Sequence, residues 1–541
     1  MIHEDCQVFA WGKRLLTVFC DLFLIAVLFV FPLYYKDFYF DILPAKYQFY
    51  YMSVVALAAA VLAAGLAMMI YDLRVCGGIH TKLFFANFRL SNLKKTLTKP
   101  ELFLLAFLAV ALISTLQSDY LYESFWGNEG RFTGLFLLLI YGICFWILFR
   151  LGRFNRWTLE FFLISSFFVC IFGITDYFDL NLLHFKDQMT KEQYTIFTST
   201  FGNINTYTAF VSLNLGLSTL LFALDSRGWK CLWHFICMLV AMAAMVTGQS
   251  DNAYLALMAL FGLAPLYLFQ NWDGVKRYGV IAATFFTVIQ IVDWLSLNMS
   301  DRVLELDGMF RVLVQLPGLT FIVIAFWLLV VVLYVSGRFA ANSKWLQKGR
   351  LQKAWGIFLL LLALALLIVL VDANVLGNGG RYGALSNYVV FNDDWGTHRG
   401  YIWRIGMKNY LNQPLIHKLF GVGPDTFGIL TGPDVYESTQ RYGEIFDSAH
   451  NEYLQYLVTI GPLGLAAYLG FLGTSVWTMI RFGRRNIYAA ACAFAALCYG
   501  AQALVNINLP LATPVMWTLL MVGLLGCKED GPERGKRKIH G

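Results

Sequence analysis

The sequence predicts an all-α, polytopic integral membrane protein with about fourteen transmembrane helices and one large extracytoplasmic loop. Three observations carry this reading. The chain is 58% hydrophobic and only 14% charged, too little polar surface to cover a water-soluble core. Apolar runs near the roughly 20 residues that cross a bilayer recur from residue 15 to residue 526. Basic residues cluster in alternate gaps between the runs. With the N-terminus inside, the inside gaps hold about 28 of the 41 Lys and Arg, and the outside gaps about 13, as the positive-inside rule requires.

In order, the runs are 15–33, 50–70, 101–117, 135–149, 157–174, 206–224, 232–248, 253–270, 278–296, 317–336, 355–372, 452–471, 487–506 and 511–526. The first follows Lys13 and Arg14 and leads into Tyr34, Tyr35 and Lys36 without a small-residue cleavage site. It therefore reads as a retained span and not as a signal peptide. No Pro/Gly/Ser linker interrupts the series, so residues 1–541 read as a single transmembrane domain. An even number of spans returns the basic tail, 527–541, to the cytoplasm. It joins the inside clusters Arg74 to Lys99, Arg150-Arg153-Arg156, Arg338 to Lys353 and Arg481-Arg484-Arg485. These clusters mark topology. Membrane lipid is an expected partner and nucleic acid is not. The ten Cys, among them Cys20, Cys170, Cys237 and Cys492, form no C-x-x-C pair, so neither a disulfide framework nor a zinc site is indicated.

The longest outward gap spans residues 373–451, and connections of that length usually carry function. It holds three of the four outward histidines (His398, His417, His450) and six outward basic residues (Arg381, Arg399, Arg404, Lys408, Lys418, Arg441). From Gly396 to Gln413 the spacing of Tyr401, Ile402, Ile405, Tyr410 and Leu411 predicts an amphipathic helix on the membrane surface, ending before Pro414. Arg399 and Trp403 share a face, where the guanidinium can stack on the indole. An interfacial aromatic beside a solvated Arg is the plain alternative. The turn "FGVGPDTFG", Phe420 to Gly428, can offer backbone N–H groups to an anion, though ordinary loop geometry also explains it.

The segment "DSAHNEYLQYLVTIGPLG", Asp447 to Gly464, reads as the start of a membrane helix, with Asp447 or Ser448 as N-cap and His450 in its first turn. The helix dipole then keeps His450 neutral and able to accept a proton, while the same helix end attracts phosphate oxygens. Gly461 follows about three turns on, with Leu454 and Leu457 between them on the same face. Gly461, Pro462 and Gly464 mark a bend or a close packing. Asp447 and Glu452 either orient the His450 ring or cap the helix. Asp393 and Asp394 either pair with Arg399 or are solvated. A capping or interfacial histidine explains the local pattern as well as a catalytic one does.

Taken together, these residues resemble the O-antigen ligase and O-antigen polymerase family, membrane glycosyltransferases that use polyprenyl-diphosphate-linked glycans. The ligase motif of His, Asn or Ser, nine residues, Gly, two residues and Gly is met by His450, Asn451, Gly461 and Gly464. Arg399, Trp403, Pro414, Gly421 and Gly423 fit the family's upstream order, and "SFWGNEGRFTGL" (Ser124 to Leu135) and "STFGNINTYTAF" (Ser199 to Phe210) look like its outward-loop signatures. One position departs. Where the family often has a Ser-Arg pair at the outer end of a mid-chain helix, this chain reads Gln249-Ser250-Asp251-Asn252.

The resemblance implies transfer of a glycan from a polyprenyl-diphosphate carrier to an acceptor hydroxyl of a glycan, lipid or cell-wall polymer. Transfer takes place on the outer face of the cytoplasmic membrane, with no cofactor and no metal. His450 and Arg399 are the expected catalytic residues, as general base and as cation for the leaving diphosphate. Arg131, Arg381, Arg404 and Trp403 are the expected donor contacts, one of the three arginines replacing the one missing near Ser250 unless the donor is held differently. Asn451, Asp447, Glu452, Gly461 and Gly464 support them. The rivals are a repeat polymerase of the same family, a lipid-linked glycan transporter or flippase, and a non-catalytic scaffold. Few intramembrane charges and no internal repeat speak against transport.

Overall fold

At the centre of the computed structural model, which describes residues 2–87, 96–340 and 349–529, stands the helix Ile204–Leu224, buried along 94% of its apolar window. Its small and polar residues allow this. A Cβ on Gly216 would lie 2.6 Å from the Phe494 carbonyl oxygen, so the helix packs backbone to backbone on the alanine-rich helix Ile487–Gln502, the close approach small residues permit inside a bilayer. Helix Arg350–Asn374 is the opposite case, leucine-rich on every side and unburied along its apolar stretch, touching the bundle near its start, where Gln352 and Trp355 donate to the Leu266 and Gly262 carbonyls.

Among the described residues eleven helices are long and apolar enough to cross a membrane. Three shorter ones, Leu135–Leu151, Ala253–Leu268 and Thr513–Lys528, coincide with three further sequence segments. At 16 and 17 residues, Ala253–Leu268 and Leu135–Leu151 reach about 25 Å at 1.5 Å per residue, short of the roughly 30 Å hydrocarbon core. Eleven of the fourteen expected segments thus coincide with helices long and apolar enough to cross, and the other three with these shorter apolar helices. The chain is also not wholly helical: Phe197–Thr198 and Gly202–Asn203 pair as a two-stranded antiparallel hairpin. The basic stretches expected within 88–95, 341–348 and 530–541 lie outside the described residues.

The expected span 452–471 needs correction. It is two helices, Glu452–Thr459 and Gly461–Phe482, the second of which is the candidate span. Gly461 breaks the run with φ +79. A Cβ there would lie 2.2 Å from the Leu419 carbonyl oxygen and 2.8 Å from the Gly421 nitrogen. Gly461 therefore admits a neighbouring backbone, and no continuous face joins it to His450 through Leu454 and Leu457.

Between Arg350–Asn374 and Gly461–Phe482 the long connection folds on itself. Its helices Trp395–Leu411, Leu415–Phe420 and Val435–Tyr442 accompany a separate apolar cluster that includes Tyr401, Ile402, Ile405, Phe427, Phe446 and Val458. The expected surface helix is thus corrected as well: its apolar face closes against protein, not against lipid.

Candidate active site

Five segments converge at one end of the bundle. The turn Phe420–Gly423 forms the base. Val422 N–H donates to the Val458 carbonyl at 3.3 Å and Gly423 N–H to that of Thr459 at 2.9 Å. Ser118 Oγ donates to the Val422 carbonyl at 2.6 Å and Ser114 Oγ to that of Thr459 at 2.8 Å. Both turn glycines have positive φ and leave no room for a side chain: a Cβ on Gly421 would lie 2.2 Å from Thr459, and one on Gly423 2.0 Å from Ser124 Oγ. The Val422 and Gly423 N–H groups, which could have been offered to an anion, are spent on this junction. The Gly-x-Gly turn is a strut.

His450 stands on that strut, immediately before the helix. The N-cap is Asn451, whose side-chain oxygen accepts from the N–H groups of Tyr453 and Leu454, each at 3.0 Å. Neither Asp447 nor Ser448 caps the helix. This gives a physical sense to Asn or Ser after the motif histidine, since both residues cap well. His450 itself is left-handed, φ +47, a conformation that costs a non-glycine residue about 1–2 kcal/mol and is held by its neighbours. Trp403 Nε1 donates to the Ala449 carbonyl at 2.9 Å, and Ala449 N–H donates to Gln455 Oε1 at 2.9 Å. Trp403 therefore positions the histidine turn. The expected stack of Arg399 on Trp403 does not occur among the described residues.

Arg399 begins the regular part of its helix, after three left-handed residues, Gly396, Thr397 and His398. That turn brings the Gly396 carbonyl to Nη1. Nε donates to the Val505 carbonyl at 3.2 Å and Nη2 to Asn252 Oδ1 at 3.3 Å. All three acceptors are neutral, and burial works against the guanidinium while Asp251 supports it through space. Asp393, a possible partner, instead binds Arg404 at 2.9 Å and Arg441 at 2.7 Å. Asp394 lies near His398 and Tyr442. The Arg399 guanidinium thus reaches the Gln249-Ser250-Asp251-Asn252 stretch from the long connection.

Arg131 comes from the "SFWGNEGRFTGL" signature and makes a two-pronged ion pair with Asp447, including Nε to Oδ2 at 3.1 Å. Its charge acts on His450 alongside that of Arg399. Burial, then these two cations, push the imidazole down to about 3, with Asp447 opposing. His450 is neutral at physiological pH first because it is buried, with the charges of Arg399 and Arg131 adding to that effect. Its ring makes no hydrogen bond among the described residues. Asp447 serves Arg131 and not the imidazole, while Glu452 is buried under the Tyr468 hydroxyl. Arg404 and Arg381 stand apart, the first held by Asp393 and Glu437, the second 3.8 Å from Asp372 and 70% exposed.

Sequence reasoning passed over two residues. Asn205, in the second signature, accepts from Ser250 Oγ at 2.7 Å and from Asn506 Nδ2 at 3.0 Å, joining the two loops that anchor Arg399. Asp425 is buried and accepts from Asn128 N–H at 2.8 Å and Thr133 N–H at 3.0 Å. Burial pushes its carboxyl up to about 6 against those hydrogen bonds. Both read as turn residues when partners distant in the chain are unseen.

The fold and site define a polytopic helical membrane protein with a cationic, histidine-centred site built by loops at one end of its bundle. Residues 309–469 match the family model described as O-antigen ligase. The matched stretch contains Arg399, Trp403 and the residues from His450 to Gly464. Arg131 and Asn252 lie outside the matched region but bond to it in space, through Asp447 and Arg399. No curated protein matches the chain.

Proposed function

We propose that this protein transfers a glycan from a polyprenyl-diphosphate carrier to an acceptor hydroxyl at the outer face of the cytoplasmic membrane, as a ligase of surface-polysaccharide assembly. The observation that carries the reading is Arg399: a guanidinium fixed by three neutral acceptors, without an ion-pair partner among the described residues, beside an unpaired neutral His450. Such a cation is organised for an anion that arrives with the substrate. Arg131, already bound to Asp447, contributes its charge from the other signature.

In the proposed step the acceptor oxygen bonds to the anomeric carbon while the bond from that carbon to the diphosphate oxygen breaks. The leaving polyprenyl diphosphate keeps the electron pair opposite Arg399. His450 takes the acceptor proton. Burial lowers the imidazole first, and the two cations that add to it are those the diphosphate neutralises, so donor binding raises the basicity of His450 when a base is needed. Binding of inorganic pyrophosphate is expected to move the His450 titration, followed by imidazole NMR, upward by at least one pH unit. An unchanged titration with pyrophosphate bound contradicts this coupling.

A polymerase of the same family would use the same residues with a second lipid-linked repeat as acceptor, and a transporter would form no glycosidic bond. Incubating the purified protein with a defined polyprenyl-diphosphate oligosaccharide and candidate acceptors, then weighing the products, separates the three. The ligase reading expects glycan on a non-polyprenyl acceptor with release of polyprenyl diphosphate. Lengthened polyprenyl-linked glycan indicates the polymerase, and movement across vesicles without a new bond indicates the transporter.

A further inference from the structure

Asn128 and Thr133 are five residues apart, and Asp425 Oδ2 takes the N–H of both. The turn they bound is drawn closed at its base. Gly127 has φ +89, and a Cβ on Gly134 would lie 2.3 Å from the Gly127 nitrogen. A Cβ on Gly127 would in turn meet Asp425 Oδ2 at 2.8 Å, so the carboxylate sits in the mouth of the ring. Arg131 is at its apex. From there Nε and Nη2 reach Asp447, three residues before His450. Asp425 is 4% exposed and left-handed itself, φ +62, conditions that fix its carboxylate rather than leave it to wander.

We infer that Asp425 is a positioning residue for the transfer site: its carboxylate templates the Gly127–Gly134 ring and thereby sets where the Arg131 charge stands relative to His450. The inference rests on the reading of Arg131 as part of that site. It also extends it, because Asp425 touches neither substrate nor His450 and acts only through the ring. It follows that the Pro-Asp step after the Gly-x-Gly turn couples the two motifs: the strut under His450 and the mount of Arg131 are one continuous piece of chain, 420–428. An acceptor of two N–H groups is required at 425, and a negative charge is not.

The test uses the full-length protein in nanodiscs, with Asp425→Ala, Asp425→Asn, Arg131→Ala and the Asp425→Ala/Arg131→Ala double variant. Amide exchange over 127–134 is expected to quicken at least tenfold in Asp425→Ala and to stay within about threefold of wild type in Asp425→Asn, whose carboxamide oxygen still accepts. In the transfer assay Asp425→Ala falls at least tenfold, Asp425→Asn restores most of the rate, and the double variant is no slower than Arg131→Ala alone. Unchanged exchange in Asp425→Ala overturns the inference, as does a double variant whose loss is the product of the two single losses. Should Asp425→Ala fail to fold, the Asn variant decides: retained ring protection supports the inference, and lost protection overturns it. Ring exchange needs no substrate, so a wild-type protein without transferase activity would refute the transfer reading and leave the template itself tested.

Discussion

His450 is held neutral by its surroundings, which sets how stability must respond to acid. Its folded pKa, about 3, lies below the roughly 6.5 of an unfolded histidine. Between those values the unfolded chain binds the extra proton, so the stability contributed by neutral His450 is complete above about pH 6.5 and is lost as pH falls toward 3. Thermal unfolding from pH 7 to 4.5 is expected to fall more steeply in wild type than in His450→Gln, and identical slopes would contradict the enclosure. A lysine at 399 cannot reproduce a fork anchored on Val505, Gly396 and Asn252. Arg399→Lys is therefore expected to lose at least tenfold in transfer while retaining charge. At this scale the candidate residues came from the resemblance of His450, Asn451, Gly461 and Gly464 to the ligase motif, not from their local pattern. The reasons were less legible, since Arg131 and Asp447 are distant in sequence and their pairing has no local pattern.

Elements explain what the motif glycines and asparagine do. Gly461 ends one helix and starts another because the Leu419–Gly421 backbone presses against it. A side chain there meets both a clash and a left-handed backbone worth about 1–2 kcal/mol by itself. Gly461→Ala is expected to lower the unfolding temperature well beyond Asn451→Ala, which removes a cap worth about 1 kcal/mol. Equal shifts, measured by thermal unfolding in detergent, would contradict the break. Hydropathy read one span across 452–471 because it records no backbone dihedral and Gly-Pro near a helix start is compatible with a bend. The helix at Trp395–Leu411 was legible from its period, but period alone does not say whether its apolar face meets lipid or the Phe427–Phe446 cluster.

Across the whole molecule, the contacts among Arg131, Asn205, Asn252, Arg399, Asp447 and Val505 bring together segments that the basic-residue pattern assigns to one side. Alternation of spans was legible because charge placement and hydropathy are both one-dimensional signals. The convergence of five loops is tertiary and was not. Tyr436, 74% exposed near the site, and Trp229, 82% exposed at the opposite end, make the sidedness testable. With single cysteines in a background lacking reactive thiols, a membrane-impermeant maleimide is expected to label Tyr436→Cys in intact cells and Trp229→Cys only after lysis. The reverse pattern would invert the orientation.

The site itself is tested most directly by the initial rate at which the purified protein joins a defined polyprenyl-diphosphate oligosaccharide to its acceptor, wild type against His450→Ala, with both shown to be folded. A general base typically contributes about 10²–10⁴-fold, so the variant is expected to form the glycosidic bond at least 100-fold more slowly while still binding the donor. A His450→Ala protein that forms the bond at the wild-type rate would contradict the assignment.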